Sequence, residues 1–234
     1  MKKYELDKND SIWVEEHILY RVIYTNELIQ LYREQYNVLI NKVGGYIESE
    51  NNLSQDDYMG LILDNSKVYG NAKIKGFSFI YDNSSIHDNA VIIHSNIREN
   101  AKIYGNAVLH NSEVYGNATI CDEALIKDSR IGGDAIVEDN ALVKHLSEVY
   151  GKAIIYGESV VENSQVHGEA SIHHNAFVKD STIIGNAHIS EDTIIRCSQV
   201  VNSIIQAGAV VIDSEIAGVT IKGSAIIQDL TLSN

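Results

Sequence analysis

Aliphatic residues recur every five or six positions from Ile62 to Leu232, and this repeat is the strongest pattern in the chain. A short fixed period of this kind is typical of solenoids, in which each repeat packs on its neighbours. The steps run mostly six, six, five, so three steps close a coil of about 17 residues. The pattern therefore predicts about ten stacked, three-sided coils.

Each step also carries its own turn. A turn dipeptide and a small residue follow the aliphatic position, as in Gly70-Asn71-Ala72 and Gly105-Asn106-Ala107. Glycine and asparagine tolerate a positive φ, and alanine fits the inside of a tight corner. The segments between corners are therefore predicted to be short strands, paired in parallel at about 4.8 Å from coil to coil. The sequence predicts an all-β, parallel β-helix.

A narrower resemblance begins before the repeat. Val43-Gly44-Gly45-Tyr46-Ile47-Glu48-Ser49-Glu50 and the later Val68-Tyr69-Gly70-Asn71-Ala72 resemble a group of uncharacterised bacterial and phage hexapeptide-repeat proteins. That group has a Gly-Gly-Tyr-Ile-Glu-Ser-Glu leader ahead of Val-Tyr-Gly-Asn-Ala repeats. The resemblance covers roughly residues 43–230 and implies that the β-helix is left-handed. The group has no agreed activity that the resemblance would imply.

The first part of the chain follows another pattern. Residues 11–24 are rich in β-branched and aromatic side chains and predict one or two strands. Asn26 is predicted to be the N-cap of a helix over 27–41, with Gly44-Gly45 as its stop. Because the first layer of a solenoid has to be covered, we expect residues 1–61 to form a small α+β cap on a β-helix domain of residues 62–234.

The net charge of the chain limits the classes of molecule that it is expected to bind. The chain has 18 Lys and Arg against 32 Asp and Glu, a formal net charge of −14. Bulk attraction to nucleic acid or anionic lipid needs a basic surface, so we expect basic proteins as partners and no direct nucleic acid or membrane binding. The N-terminal residues lack a signal-peptide pattern, which predicts a cytoplasmic location in a bacterial or phage-infected cell.

No constellation of residues predicts catalysis, a cofactor or a metal site. Cys121 and Cys197 have no zinc-ligand spacing. Histidines are interpreted as scattered surface residues, with His167 and His173 on different faces; the candidates are His87, His94, His110, His145, His167, His173, His174 and His188. Many hexapeptide-repeat proteins are acyltransferases, whose coils are usually interrupted by an excursion loop that carries or covers the active site. No step between successive aliphatic positions of this repeat exceeds six residues, so the sequence predicts no such loop.

Outward positions of the shortened face form a candidate interface, which we call the apolar stripe. The residue before each aliphatic position of that face is itself apolar, and side chains alternate along a strand. Its members are Val91, Val108, Leu125, Leu142, Val160, Phe177, Ile194, Val210 and Ile226. An exposed apolar surface of this extent is usually covered, and a second copy of the chain in a homodimer, the N-terminal segment or another partner would cover it.

The corner before the apolar stripe is acidic, and we call it the acidic edge. Its members are Asp88, Asp122, Glu123, Asp139, Glu158, Glu191 and Asp192. Their expected spacing of about 4 Å per charge is close to the 3.4 Å phosphate spacing along one DNA strand. Asp and Glu at the corners of a β-helix also keep the protein soluble. The interpretation that this is their only role stays open. We expect these corner side chains to lie in solvent.

Together these features predict a non-enzymatic interaction protein. The acidic edge and apolar stripe would occupy the basic groove of a nucleic-acid-binding protein as a DNA mimic, and a phage-encoded inhibitor of a CRISPR effector nuclease is a concrete case. Two alternatives stay open: an acyltransferase-like enzyme at an oligomer interface, and a structural, self-assembling rod. A fold of this kind does not by itself select among them.

Overall fold

A computed structural model describes residues 2–55 and 59–234. The chain divides into two compact units, Met1–His110 and Asn111–Asn234. Both units contain short parallel strands that follow one another around three faces, and the described residues include a single α-helix. The prediction of an all-β, parallel β-helix is confirmed.

The first unit begins with a hairpin and a helix and continues into short strands. Its elements are β1 (Tyr4–Val14), β2 (His17–Tyr24), α1 (Asn26–Tyr36), β3 (Val43–Ile47), β4 (Leu61–Ile62), β5 (Lys67–Val68), β6 (Lys73–Lys75), β7 (Phe79–Ile80), β8 (Ser85–Ile86), β9 (Val91–Ile93), β10 (Asn96–Ile97), β11 (Lys102–Ile103) and β12 (Val108–His110). The three parallel faces run β3-β5-β8-β11, β4-β7-β10 and β6-β9-β12.

The second unit consists of the same short strands throughout. They are β13 (Glu113–Val114), β14 (Thr119–Ile120), β15 (Leu125–Lys127), β16 (Arg130–Ile131), β17 (Ile136–Val137), β18 (Leu142–Lys144), β19 (Glu148–Val149), β20 (Ile154–Ile155), β21 (Val160–Glu162), β22 (Gln165–Val166), β23 (Ser171–Ile172), β24 (Phe177–Lys179), β25 (Thr182–Ile184), β26 (His188–Ile189), β27 (Ile194–Arg196), β28 (Gln199–Val201), β29 (Ile204–Ile205), β30 (Val210–Ile212), β31 (Glu215–Ala217), β32 (Thr220–Ile221), β33 (Ile226–Gln228) and β34 (Thr231–Ser233).

Two faces of the second unit carry the candidate functional residues. Strands β15, β18, β21, β24, β27, β30 and β33 form the stripe face. Strands β14, β17, β20, β23, β26, β29 and β32 form the histidine face. Connections between successive strands in this fully described unit are at most four residues long, as between Val114 and Thr119. The expected absence of an excursion loop therefore holds for this unit.

The predicted inward aliphatic residues form the core. Residues such as Val68, Ile103, Val143 and Ile183 are completely buried. Near the C-terminus the burial weakens, and Ile227 is only half-buried. Removing these side chains from water is the main favourable contribution to folding, because each step of the coil buries one of them.

The helix differs from its prediction at both ends. Thr25, and not Asn26, is the N-cap: its side-chain oxygen accepts a hydrogen bond of 3.3 Å from the Leu28 N–H. The helix ends at Tyr36 because Asn37 adopts the left-handed conformation of a C-cap. The helix has 11 residues. Among the described residues no helix is long and apolar enough to span a membrane.

Gly44 and Gly45 are predicted to stop the helix, but they lie inside β3. That strand pairs antiparallel with β2 and parallel with β5, so it joins the hairpin to the first coil. A Cβ on Gly44 would lie 2.7 Å from the Ile62 carbonyl oxygen, and one on Gly45 would lie 2.6 Å from the Ser66 carbonyl oxygen. Close approach of the backbone therefore requires both glycines.

Candidate functional site

The residues of the apolar stripe are aligned on neighbouring strands within each unit. In the first unit Val91 and Val108 are register partners on neighbouring strands. In the second unit each member of the stripe face aligns with the next, in the order Leu125, Leu142, Val160, Phe177, Ile194, Val210 and Ile226. The sequence period alone was enough to identify these positions. Parallel strands that keep the same register place residues one coil length apart side by side.

Exposure of the stripe varies along the second unit. Leu125 is 40% exposed and Ile226 is 72% exposed, whereas the members between them are half-buried. Side chains stacked on adjacent strands cover one another's flanks, which reduces their individual exposure. The stripe is therefore an apolar surface accessible along one side, with its most exposed side chains at its two ends.

Some carboxylates of the acidic edge have a structural role that the sequence did not reveal. Asp122 and Asp139 both adopt a left-handed backbone, with φ of 56° and 57°. Each accepts a hydrogen bond from the backbone N–H one coil later: Asp139 N–H donates to Asp122 at 3.4 Å, and Gly157 N–H donates to Asp139 at 3.0 Å. These side chains are exposed, as expected, but they also join successive corners.

Asp88 has the same role in the first unit. Its φ is 57°, and its carboxylate accepts a hydrogen bond of 3.0 Å from the Gly105 N–H. Partial burial raises the pKa of Asp88, but the hydrogen bond from Gly105 and the neighbouring His87 outweigh that effect and hold the pKa below its usual value. Asp88 belongs to a different compact unit from the other members of the edge.

The remaining acidic residues are exposed corner side chains of the second unit, as predicted. Glu123 and Glu158 are exposed, and so are Glu191 and Asp192. The Asn175 amide donates a hydrogen bond of 3.0 Å to Asp192. His174-Asn175 occupies the corner between Glu158 and Glu191, so the edge consists of an acidic stretch from 122 to 158, a corner without acidic residues, and an acidic pair at 191–192.

A basic column borders the stripe on its other side. Lys127, Lys144, Lys179 and Arg196 follow the inward residues of the stripe face, with Glu162 among them. Glu162 lies 2.8 Å from the Lys179 ammonium and 3.2 Å from that of Lys144. Hydrogen bonds from Lys179 and then Lys144 lower the pKa of Glu162 to about 2.

Cys121 has two carboxylate neighbours at the corner that follows the histidine face. One ligand atom from each of Cys121, Asp122 and Glu138 lies within 4.8 Å of the others. Burial raises the pKa of Glu138 above its usual value, and the negative charges of Asp139 and Asp122 raise it further. Cysteine spacing does not indicate this group, because its members meet across neighbouring coils. Exposed carboxylates are often grouped in this way without an ion.

The prediction that the histidines are scattered is wrong for three of them. His173 and His188 approach with their Nε2 atoms 3.0 Å apart, and Nδ1 of His173 contacts Nδ1 of His174. His173 is buried, whereas His174 is exposed. Burial lowers the pKa of His173 to about 4, with further lowering by the charges of His188 and His174. His167 lies on another face, as predicted.

A signal for this cluster was present in the sequence. Ser171-Ile172-His173 and His188-Ile189-Ser190 begin 17 residues apart, and β23 and β26 place Ser171 directly opposite His188. His173, which directly follows β23, therefore lies diagonally opposite His188, the first residue of β26. Recognising it requires the strand register, because the residues are distant along the chain.

The other histidines pack mainly against aromatic rings or a carboxylate. In the first unit His87 is stacked between Tyr69 and Tyr104, at centroid distances of 4.9 and 5.1 Å, and the rings of His94 and His110 meet edge to face at 6.1 Å. In the second unit His167 packs on Tyr150 at 3.8 Å, and His145 lies 3.4 Å from Glu162.

Comparison with known proteins finds no family model that matches this sequence, and no curated protein matches it either.

Proposed function

We propose that the chain is a non-enzymatic binding protein whose second unit occupies a basic groove of a nucleic-acid-binding protein. The observation that carries this proposal is that the acidic corners lie directly before strands of the stripe face, as the corner residue Glu123 and the strand residue Leu125 do on either side of Ala124. Negative charge would direct the approach to a basic groove, and the stripe would supply apolar contact.

Charge density supports a DNA-like surface over a limited length. Asp122, Glu123, Asp139 and Glu158 occupy three successive corners of the second unit, and coils stack at about 4.8 Å. Four carboxylates over about 10 Å match the phosphate spacing of one DNA strand, about 3.4 Å. A phage-encoded inhibitor of a CRISPR effector nuclease remains the concrete case, because such a nuclease holds nucleic acid in a positively charged channel.

The test measures binding of the full chain to a purified Cas9-type effector without guide RNA. We expect the affinity to fall steeply as the salt concentration is raised from 0.1 to 0.5 M. Duplex DNA should compete with the chain for the same groove. A variant with Glu123→Gln, Glu158→Gln, Glu191→Gln and Asp192→Asn should bind at least about tenfold more weakly. These substitutions leave the hydrogen bonds of Asp122 and Asp139 intact.

A matched control removes as many exposed carboxylates elsewhere in the second unit: Glu169→Gln, Asp213→Asn, Glu215→Gln and Asp229→Asn. The control should retain the affinity of the unaltered chain within about threefold. Equal loss in both variants would show that net charge, and not the acidic edge, drives binding. Failure of the unaltered chain to bind this effector at 0.1 M salt would remove the concrete case, and failure across a panel of basic-groove nucleases would reject the proposal.

A further inference from the structure

The histidine cluster of the second unit has the geometry of a pair of metal ligands. His173 directly follows β23 and His188 begins the neighbouring strand β26 of the histidine face, with their Nε2 atoms 3.0 Å apart. Their ring planes are tilted by 59°, and the centroids are 4.6 Å apart. The ring of Tyr156 stacks on His173 at 4.6 Å with a tilt of 8°, which fixes the orientation of that imidazole.

Both rings also have a partner at their second nitrogen. Ser171 Oγ lies 2.6 Å from Nδ1 of His188, and Nδ1 of His174 contacts Nδ1 of His173. If both rings carry their proton on Nδ1, each donates it to one of these neighbours, and both Nε2 atoms, 3.0 Å apart, keep a lone pair for an ion. Metal-binding histidines are held in this way, with the non-ligating N–H given to a neighbouring acceptor.

We propose that His173 and His188 bind one divalent transition-metal ion through their Nε2 atoms, with Ser171 and His174 as positioning residues. Two nitrogens at 2.0–2.1 Å from a tetrahedral metal lie about 3.3 Å apart, so the site needs an opening of only a few tenths of an ångström. Imidazole suits Zn²⁺, Ni²⁺ and Cu²⁺, and Cu²⁺ is expected to bind most tightly of the three.

A ligating imidazole must be neutral, with a free lone pair on the nitrogen that binds the ion. The ion would link β26 to the residue that follows β23, on two successive coils of the face.

The experiment titrates the full chain with CuCl2 and, separately, with ZnCl2 by calorimetry, and records the Cu²⁺ electron paramagnetic resonance spectrum. We expect one ion per chain and hyperfine splitting from two imidazole nitrogens. His188→Gln and His173→Gln should each weaken binding at least tenfold, and Ser171→Ala should weaken it about tenfold by releasing the His188 ring. His94→Gln and His145→Gln are the controls and should leave the affinity unchanged.

Circular dichroism of each variant checks that it is folded. Binding of equal affinity in the His173→Gln/His188→Gln double variant and the unaltered chain would overturn the proposal, because the ion would then sit elsewhere. Should the glutamine variants fail to fold, Ser171→Ala decides the question, since it keeps both imidazoles. An unchanged affinity and an unchanged copper spectrum in Ser171→Ala would contradict the proposed arrangement.

Discussion

The carboxylate of Asp139 accepts a hydrogen bond of 3.0 Å from the backbone N–H of Gly157, one coil further along the chain. An exposed acidic corner residue therefore contributes to stacking of the coils as well as to surface charge. Glu158, the residue after Gly157, is exposed and belongs to the same acidic edge. Tests of the edge have to separate these two roles, because a charge reversal at Asp139 alters both.

Asp139→Lys should destabilise the fold by about 1–2 kcal/mol, because it removes the acceptor for the Gly157 N–H and places a long side chain in a left-handed backbone. Asp139→Asn should retain most of the stability, since its amide oxygen can accept the same bond. Glu158→Lys is the matched charge reversal and should change stability by no more than about 0.5 kcal/mol. Urea unfolding of the three variants gives the comparison, and equal destabilisation by both lysine substitutions would contradict the structural role of Asp139.

Glu162 should make the fold sensitive to acid. The pKa of Glu162 is lowered in the folded chain, so its contribution is fully present above the ordinary carboxyl pKa of about 4.5 and is lost as the pH falls towards about 2. Glu162→Gln should therefore reduce the loss of unfolding free energy between pH 6 and pH 3. Urea unfolding at several pH values measures the difference, and a carboxyl resonance of Glu162 that titrates near 4.5 would contradict it.

The control for Glu162 is Glu169→Gln. Glu169 lies 3.3 Å from Lys152, but both side chains are 60% or more exposed. A pair so fully solvated contributes little to stability. This variant should show the same dependence of stability on pH as the unaltered chain over the same range.

Ser159→Ala should leave stability unchanged or raise it by up to about 1 kcal/mol. The Ser159 side-chain oxygen is buried and has no hydrogen-bond partner among the described residues. Ala124 and Ala141 occupy the corresponding corner positions, so the alanine fits the corner without strain. Thermal unfolding measures the change, and a loss above about 1 kcal/mol would show that the hydroxyl is satisfied.

Ser164→Ala serves as the contrast to Ser159→Ala. The Ser164 hydroxyl accepts a hydrogen bond of 3.1 Å from the Ser181 N–H, and its O–H donates one of 2.7 Å to the Glu162 carbonyl oxygen. Removing it leaves a buried backbone donor without its partner, and we expect a loss of about 1–3 kcal/mol.

Self-association through the apolar stripe stays a prediction. If the chain is a homodimer through this surface, Leu125→Asp combined with Phe177→Asp should give a folded monomer, because two charges would be buried without partners. Ile136→Asp with Ile154→Asp, half-buried positions on the histidine face, is the control and should leave the dimer intact. Light scattering after size exclusion measures the mass, and an unaltered chain that is monomeric at all concentrations would reject this prediction.

The fold was predictable because its information is local and repeated. Aliphatic residues such as Ile126 and Val143 are one coil apart and both completely buried, and the same spacing located the stripe from Leu125 onward. The helix boundary was less predictable, since Thr25 and Asn26 are both good N-cap residues and backbone geometry selects between them. Gly44 and Gly45 look like a helix stop in the sequence. Glycine is required at both positions because a Cβ would clash with the Ile62 or Ser66 carbonyl oxygen.

By itself, the sequence determined the coil period, the inward residues, the acidic corner and the apolar stripe, because each of these follows from one residue type at one repeated position. Only the tertiary structure decided which side chains meet across coils. Asp139 with Gly157, Glu162 between Lys144 and Lys179, and His173 with His188 are contacts between residues some 15–18 positions apart. Such contacts depend on strand register and on side-chain direction at the corners, and local propensities encode neither.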